Sequence, residues 1–120
     1  MAAPNIVNVA TITGHTTAGA LTTSNQAFVT CSNEYVYKVN TIIVSNVDGT
    51  NAADVTVYYY DSGSTNRFQI VNTVSVPADS TLVVLDKNSA LYLEEGDKIE
   101  GFASAASDLQ MIVSYEAITD

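Results

Sequence analysis

The chain has 120 residues, a length that fits one domain with a substantial hydrophobic core. Thirteen acidic and four basic residues give a formal net charge of −9, and 47% of the residues are hydrophobic. Nucleic-acid-binding surfaces need clustered Lys and Arg, so this charge argues against direct nucleic-acid binding. The single cysteine, Cys31, excludes an intramolecular disulfide, and the fold must therefore rest on burial and hydrogen bonding.

Residues 1–26 differ from the rest of the chain. They contain no Lys, Arg, Asp or Glu and only short apolar groups, which is too little apolar bulk to fold alone. Two interpretations follow: the segment is a first strand of the domain, or an extended N-terminal arm that pairs with a neighbouring subunit. An uncharged strand is poorly protected against such pairing. Residues 27–120 are predicted to form a single β-sandwich domain.

The first convincing strands follow this segment. Ala27–Thr30 reads as a short strand and Tyr35–Asn46 as a longer, central one. Consecutive apolar residues at positions 42–44 indicate that the longer strand is buried on both faces, or that it changes register through a bulge near Asn40–Thr41. Asp48–Asn51 is predicted to be a turn, because Asp, Asn and Gly tolerate backbone angles that most residues avoid.

Three consecutive tyrosines stand out in the next strand, Ala53–Asp61. The period-2 alternation places Tyr59 in the core, with Tyr58 and Tyr60 on the opposite face of the sheet. The two outward tyrosines either cover the sheet with their hydroxyls in water or anchor a partner, since tyrosine gives a large, rigid contact at small entropy cost.

The remaining pattern is also β throughout. About eight to ten short strands at regular spacing, with no helical period, predict an antiparallel all-β sandwich of two sheets. A jelly roll is favoured, with an immunoglobulin-like sandwich as the alternative. The Leu91–Ile99 segment is predicted to be a hairpin with Leu91, Leu93 and Ile99 pointing inward. The other predicted segments are a polar loop at Asp61–Asn66, strands at Phe68–Val76, Ser80–Leu85 and Leu109–Glu116, and a stop at Pro77.

Residues suited to catalysis or metal binding are scarce. His15 is the only histidine and lies in the uncharged segment, so neither a catalytic triad nor a structural zinc site is expected. The acidic turn at Glu94–Asp97, with Glu100 nearby, matches no calcium loop, and solvated carboxylates are the preferred interpretation. Glycoside hydrolysis by these carboxylates stays as a weak alternative. We predict no enzyme activity, no cofactor and no metal, and a buried, inert Cys31.

Several segments carry a resemblance to a known family. The opening MAAPNIVNVATITGHTTAGALTT, Ser45–Gly49, Val76–Ala78, the Leu91–Ile99 segment and the closing Ser114–Glu116 resemble small virion structural proteins of tailed bacteriophages, especially marine and cyanobacterial phages. The resemblance extends over nearly the whole chain. It implies a non-enzymatic component of the phage particle, most simply a decoration or cement protein, with a neck, tail or host-glycan-binding subunit as the alternative.

The resemblance also implies partners and a location. The protein would be made in the host cytoplasm and reside on the exterior of the virion, bound to the major capsid protein and to copies of itself as a homo-oligomer. No membrane partner is expected, because no segment approaches the roughly 18 apolar residues of a span and the N-terminus has no secretion signal. The predicted contact residues are Asn5, Ile6, Val7, Val9, Ile12, His15, Leu21, Tyr58 and Tyr60.

Overall fold

The computed structural model describes residues 11–120, which form nine β-strands and one short 3-10 turn at Lys87–Ser89. All strand pairs are antiparallel. The strands are β1 (Thr11–Ala20), β2 (Gln26–Thr30), β3 (Val36–Asn46), β4 (Ala53–Asp61), β5 (Asn66–Val76), β6 (Thr81–Leu85), β7 (Leu91–Leu93), β8 (Lys98–Ala103) and β9 (Leu109–Thr119).

The strands form two sheets packed face to face. Sheet A has the order β1-β9-β3-β6, with β7 also paired to β3, and sheet B has the order β2-β8-β4-β5. If β7 is set aside, the pairs are nested: β1 with β9, β2 with β8, β3 with β6 and β4 with β5. This nesting is that of a jelly roll. The predicted all-β, two-sheet antiparallel sandwich is confirmed, and the strand order favours the jelly roll over the immunoglobulin-like alternative.

The core lies between the sheets and consists of aliphatic side chains of moderate size. On β9, Leu109, Met111 and Val113 are fully buried, while the alternate residues face away from sheet B. Val55 and Val57 of β4 meet them from the other side. Each such side chain contributes about 1.5–3 kcal/mol of hydrophobic stabilisation on burial.

A β-bulge in β3 sets which of its residues face the core. The register between β3 and β9 shifts between Val39 and Thr41, so Asn40 is an extra residue without a partner on β9. Because one residue is inserted, Ile42 and Val44 return to the core side, where both are fully buried, and Ile43 faces outward. Of the two interpretations of this strand, the register change through a bulge near Asn40–Thr41 is the one that the structure shows.

The segment Leu91–Ile99 is not the predicted hairpin. β7 pairs with β3 in sheet A, whereas β8 pairs with β2 and β4 in sheet B, so the segment is a corner between the sheets. Leu93 and Ile99 are nevertheless fully buried, as predicted. Both sheets direct every second residue into the same core. The sequence therefore shows the same alternation whether two strands pair as a hairpin or lie in different sheets. Gly96 forms the bend with a φ of +83°.

Two carboxylates that we expected to be solvated are buried: Asp97 is 2% exposed and Glu100 is 4% exposed. Asp97 accepts hydrogen bonds from the Tyr59 hydroxyl (2.9 Å), the Ser62 amide (3.0 Å) and hydroxyl (3.2 Å), and the Glu94 amide (3.0 Å). The carboxylate thus joins the β7–β8 corner to β4 and to the loop after it. Full hydrogen bonding is what makes a charge at this depth tolerable.

Candidate interaction surfaces

Most of the outer side of sheet A is a nearly neutral surface that we call the open face. Its side chains alternate with the buried residues of the same strands, and the strand register places them in rows across the sheet. The open face consists of Ile12, Gly14, Thr16 and Ala18 of β1, Gln110, Ile112, Ser114 and Glu116 of β9, Lys38, Thr41, Ile43 and Ser45 of β3, Thr81 and Val83 of β6, and Tyr92 of β7.

The open face exposes several large hydrophobic side chains among neutral polar ones and carries little charge. Ile12 (57% exposed), Val83 (57%) and Tyr92 (45%) are three of the five large hydrophobic residues exposed within residues 11–120. The open face contains one charged pair, Lys38 and Glu116, which are direct neighbours on β3 and β9. Twelve of the thirteen acidic residues therefore lie elsewhere on the chain. These exposed side chains and the low charge make the open face a candidate interaction surface.

A shallow depression interrupts the open face at Gly14. It has a volume of about 320 Å³, and a Cβ atom added at Gly14 would meet nothing within 4 Å. The side-chain oxygen of Asn40, the bulged residue of β3, is buried there without a hydrogen-bond partner. Its lining residues on the open face are Gly14, Thr16, Ser114 and Glu116. Asn40 completes the lining, together with His15 and Tyr115, whose side chains belong to the opposite side of the sheet.

The outer side of sheet B is different, and we call its cluster of Asn25, Tyr58, Tyr60, Arg67, Lys98, Glu100 and Phe102 the closed face. Its centre is Glu100, which accepts hydrogen bonds from Arg67 Nε (2.6 Å) and Asn25 Nδ2 (3.1 Å). The hydrogen bond to Glu100, followed by the charge of this carboxylate, raises the pKa of Arg67 above its usual range. The charges of the closed face are thus engaged within the chain itself.

The two tyrosines predicted to face outward, Tyr58 and Tyr60, lie in the closed face and are half-buried. The Tyr58 ring packs against Phe102 with 6.1 Å between centroids. Arg67 and Lys98 place their cationic groups 5.0 Å and 5.2 Å from the centroid of Tyr60. The prediction that these tyrosines contact a partner remains untested. Their own chain already supplies neighbours for both rings.

Tyr59 lies on the opposite side of β4 and packs partly buried against the core. Its hydroxyl donates to Asp97. Burial, followed by this hydrogen bond to the carboxylate, raises the pKa of Tyr59 above its usual range. The middle tyrosine therefore serves the fold rather than the surface.

Strand β1 leaves one edge of sheet A open within residues 11–120. Its ten residues pair with β9 from Thr11↔Thr119 to Ala20↔Gln110 without a register shift. No charge, proline or bulge protects its free edge against a further strand. The N-terminal segment is thus, over residues 11–20, a regular edge strand of its own domain.

The other predicted contact residues lie in different environments. Asn5, Ile6, Val7 and Val9 fall outside the described residues. Ile12 belongs to the open face, and His15 is exposed on the opposite side of β1, where its ring stacks on Tyr115 at 5.4 Å. Leu21 is fully buried in the core, where it anchors the chain after β1 and is not a surface residue.

Cys31 is a buried residue, 2% exposed, at the end of β2. Its thiol donates to the carbonyl oxygen of Tyr35 at 3.4 Å. Burial raises the pKa of Cys31 from 9.0 to about 11, so the reactive thiolate is suppressed at neutral pH. The thiol is in consequence poorly placed to react with another molecule.

From Thr11 onward, the chain has no group of three or more His, Cys, Asp or Glu side chains arranged to hold a metal ion. None of the helices in the same range has the length and apolarity to cross a membrane.

Solved structures of low sequence identity share the fold of this chain. No protein-family model and no curated sequence matches the chain. A chain from Bacillus endospore appendages, described as a novel family of disulfide-linked pili, matches with a TM-score of 0.54 at 13% identity, covering 92% of this chain and 88% of that one. A chain in the acidic stable capsid structure of Helicobacter pylori bacteriophage KHP30 matches with a TM-score of 0.55 at 9% identity, covering 92% and 90%.

A chain of the cyanophage Pam1 capsid asymmetric unit aligns over 100% of this chain and 93% of its own length, with 17% identity and a TM-score of 0.40. The first two likenesses are similarities of fold.

Proposed function

We propose that this protein is a non-enzymatic structural subunit of a tailed-bacteriophage virion that decorates and stabilises the capsid shell. The observation that carries the proposal is a jelly roll with an uncharged edge strand and a sheet face that exposes Ile12, Val83 and Tyr92 and has no net charge. The sequence resemblance to phage virion proteins and the fold shared with a chain of a phage capsid structure support it. The buried positions of Asp97 and Glu100 argue against a glycoside hydrolase that uses these two carboxylates, because neither is open to a substrate.

Stabilisation of a shell follows from mass action. A subunit that binds the assembled shell but not the dissociated capsid protein lowers the free energy of the assembled state. We propose that the N-terminal segment, including Ile12 and the free edge of β1, contacts neighbouring subunits, since an open strand edge offers unpaired backbone groups to another chain. The net charge of −9 would then keep decorated particles apart in solution.

Covalent linkage between subunits is not part of this proposal. The pilus subunits of similar fold are described as disulfide-linked. Here the only cysteine of the chain, Cys31, is buried and has a raised pKa. We therefore propose an assembly held together by noncovalent contacts.

The decisive experiment is the copy number of the protein in purified phage particles, measured by quantitative mass spectrometry against the major capsid protein. Many copies in simple proportion to the capsid protein would support decoration. A small number of copies would assign the protein to the neck or tail instead. Absence from purified particles would overturn the virion proposal.

A truncation tests the contact segment. Removal of residues 1–10 leaves β1 and Leu21 in place, so the domain should keep its thermal stability and lose binding to undecorated particles. Deletion through residue 21 is unsuitable, because it also removes the edge strand and a core side chain. Undiminished binding by the shorter truncation would contradict a role for residues 1–10.

A further inference from the structure

Two rows of residues on the open face could each pack against the same row of a second copy in reversed order. The first row, read across β1, β9, β3 and β7, is Gly14, Glu116, Lys38 and Tyr92. It begins with a depression and ends with an exposed aromatic ring, and an anion and a cation lie between them. The second row, read across β1, β9, β3 and β6, is Ala18, Ile112, Ile43 and Val83. It also runs from a small side chain to an exposed larger one.

A twofold axis that runs between β9 and β3, parallel to the strands, reverses the order of each row. In the first row it places Tyr92 of one copy over Gly14 of the other, and Lys38 over Glu116. In the second row it places Val83 over Ala18, and Ile43 over Ile112. Tyr92 and Val83 each meet a small residue, the two isoleucines meet each other, and each charge meets its opposite. Such self-complementarity is the requirement for an isologous interface.

We propose that the open face is a homodimer interface, in which two copies pack sheet A against sheet A about this axis. The tyrosine ring of each copy fills the depression at Gly14 of the other. The depression, about 320 Å³, is large enough, since a cavity of about 150 Å³ can hold benzene. A second copy fits better than an acidic or basic partner, because the open face has no net charge.

The size of the open face indicates a reversible dimer. The open face is four strand positions wide, at about 4.8 Å each, and about seven or eight residues long, at about 3.3 Å each, which gives a flat area of about 450–500 Å² per copy. Stable interfaces bury about 800 Å² on each side, and weaker ones bury less. We therefore expect an equilibrium between monomer and dimer that shifts with protein concentration.

A charge exchange tests whether the open faces meet. Lys38→Glu gives an open face with two acidic residues, and Glu116→Lys gives one with two basic residues. Each variant alone should dimerise at least about tenfold more weakly than the wild type, because like charges face each other across the interface. An equimolar mixture of the two should form a heterodimer in sedimentation velocity. Lys87→Glu is the matched control, since it makes the same charge change at an exposed residue off the open face.

A size exchange tests the register of the dimer. Gly14→Tyr fills the depression, and the monomer should tolerate it because a Cβ there meets no other atom. This variant should lose dimerisation, and the double variant Gly14→Tyr with Tyr92→Gly should recover it. Positions 14 and 92 of one chain lie three strand spacings apart, about 14 Å, and cannot contact each other. Recovered dimerisation would therefore indicate that they meet between two copies.

All variants would first be compared with the wild type by circular dichroism to verify folding. A wild-type protein that stays monomeric at high concentration would overturn the proposal, as would a charge-exchange mixture that does not pair. Dimerisation that is lost on removal of residues 1–10 but survives Lys38→Glu would overturn it as well and assign association to the N-terminal segment. The inference goes beyond the virion proposal, and solution measurements test it independently of copy number in particles.

Discussion

The outer faces of the two sheets use their polar residues in opposite ways. On the closed face, Glu100 is almost fully buried by groups of its own chain, and Arg67 and Lys98 lie over Tyr60. On the open face, Lys38 and Glu116 are the only charges, among apolar side chains such as Val83 that remain exposed. On the sheet B side the buried carboxylate is satisfied within its own chain, whereas on the sheet A side apolar side chains stay exposed and are available to another molecule.

The largest effect is expected from the buried carboxylate that secures the sheet B side. Asp97→Ala removes the acceptor for the Tyr59 hydroxyl, for Ser62 and for the Glu94 amide. Because buried donors would be left unpaired, we expect the free energy of unfolding to fall by about 3–5 kcal/mol. Urea denaturation measures this change. Asp120→Ala, at an exposed residue, is the control and should leave the midpoint unchanged.

The second prediction concerns the accessibility of Cys31, because a disulfide between subunits would need a reactive thiol. A pKa raised from 9.0 to about 11 lowers the thiolate fraction at pH 8 by about 100-fold, and burial slows access further. A thiol reagent should therefore label the native protein at least about 100-fold more slowly than the urea-unfolded protein. Equal rates would show that Cys31 is accessible in the native state and would reopen a disulfide-linked assembly.

Substitution of one glutamate on each face tests whether the closed face contributes to stability and the open face to association. Glu100→Ala removes a buried acceptor of hydrogen bonds from Arg67 and Asn25, and should lower the free energy of unfolding by about 1–3 kcal/mol. Glu116→Ala should change it by less than about 0.5 kcal/mol and should instead weaken dimerisation. Thermal unfolding and sedimentation distinguish the two outcomes. An equal loss of unfolding free energy in both variants would contradict different roles for the two faces.

The smallest effect on stability is expected at Val83, which is 57% exposed on the open face. Val83→Thr keeps the β-branched shape and should change the free energy of unfolding by less than about 0.5 kcal/mol. The same substitution should weaken self-association, since Val83 would lie against Ala18 of the second copy. Unfolding and dimerisation measured on one preparation give both values. A stability loss with unchanged association would mean that Val83 serves only its own domain.

Local patterns predicted much of the fold. The alternation at Ala53–Asp61 gave the bounds of β4, and consecutive apolar residues at positions 42–44 indicated the bulge in β3. The hairpin prediction for Leu91–Ile99 was wrong because β7 and β8 pair with strands that are distant in sequence. Alternation indicates which side chains face the core, but not which strand is the partner. Pairing across a sandwich depends on contacts that a local pattern does not contain.

The interaction surfaces were harder to predict for the same reason. Lys38, Glu116, Gly14 and Tyr92 are scattered along the sequence and form a row only when the strand order is known. The tyrosine run drew attention to Tyr58 and Tyr60, but the cations that flank Tyr60 come from β5 and β8. Among the predicted contact residues within residues 11–120, Ile12 belongs to the open face, whereas Leu21 of the same uncharged segment is buried.

The nested strand pairing has a consequence for the order of folding. The β4–β5 pair joins neighbours in sequence, whereas Thr11 pairs with Thr119 at the opposite end of the described chain. Closure of a long loop costs more entropy than closure of a short one, so we expect β1 to be the last strand to dock. Until then, the outer edge of β9 is available to any matching strand. In a crowded, newly synthesised population, the β1 that reaches this edge first can come from another molecule, and strand exchange between copies then competes with completion of the monomer.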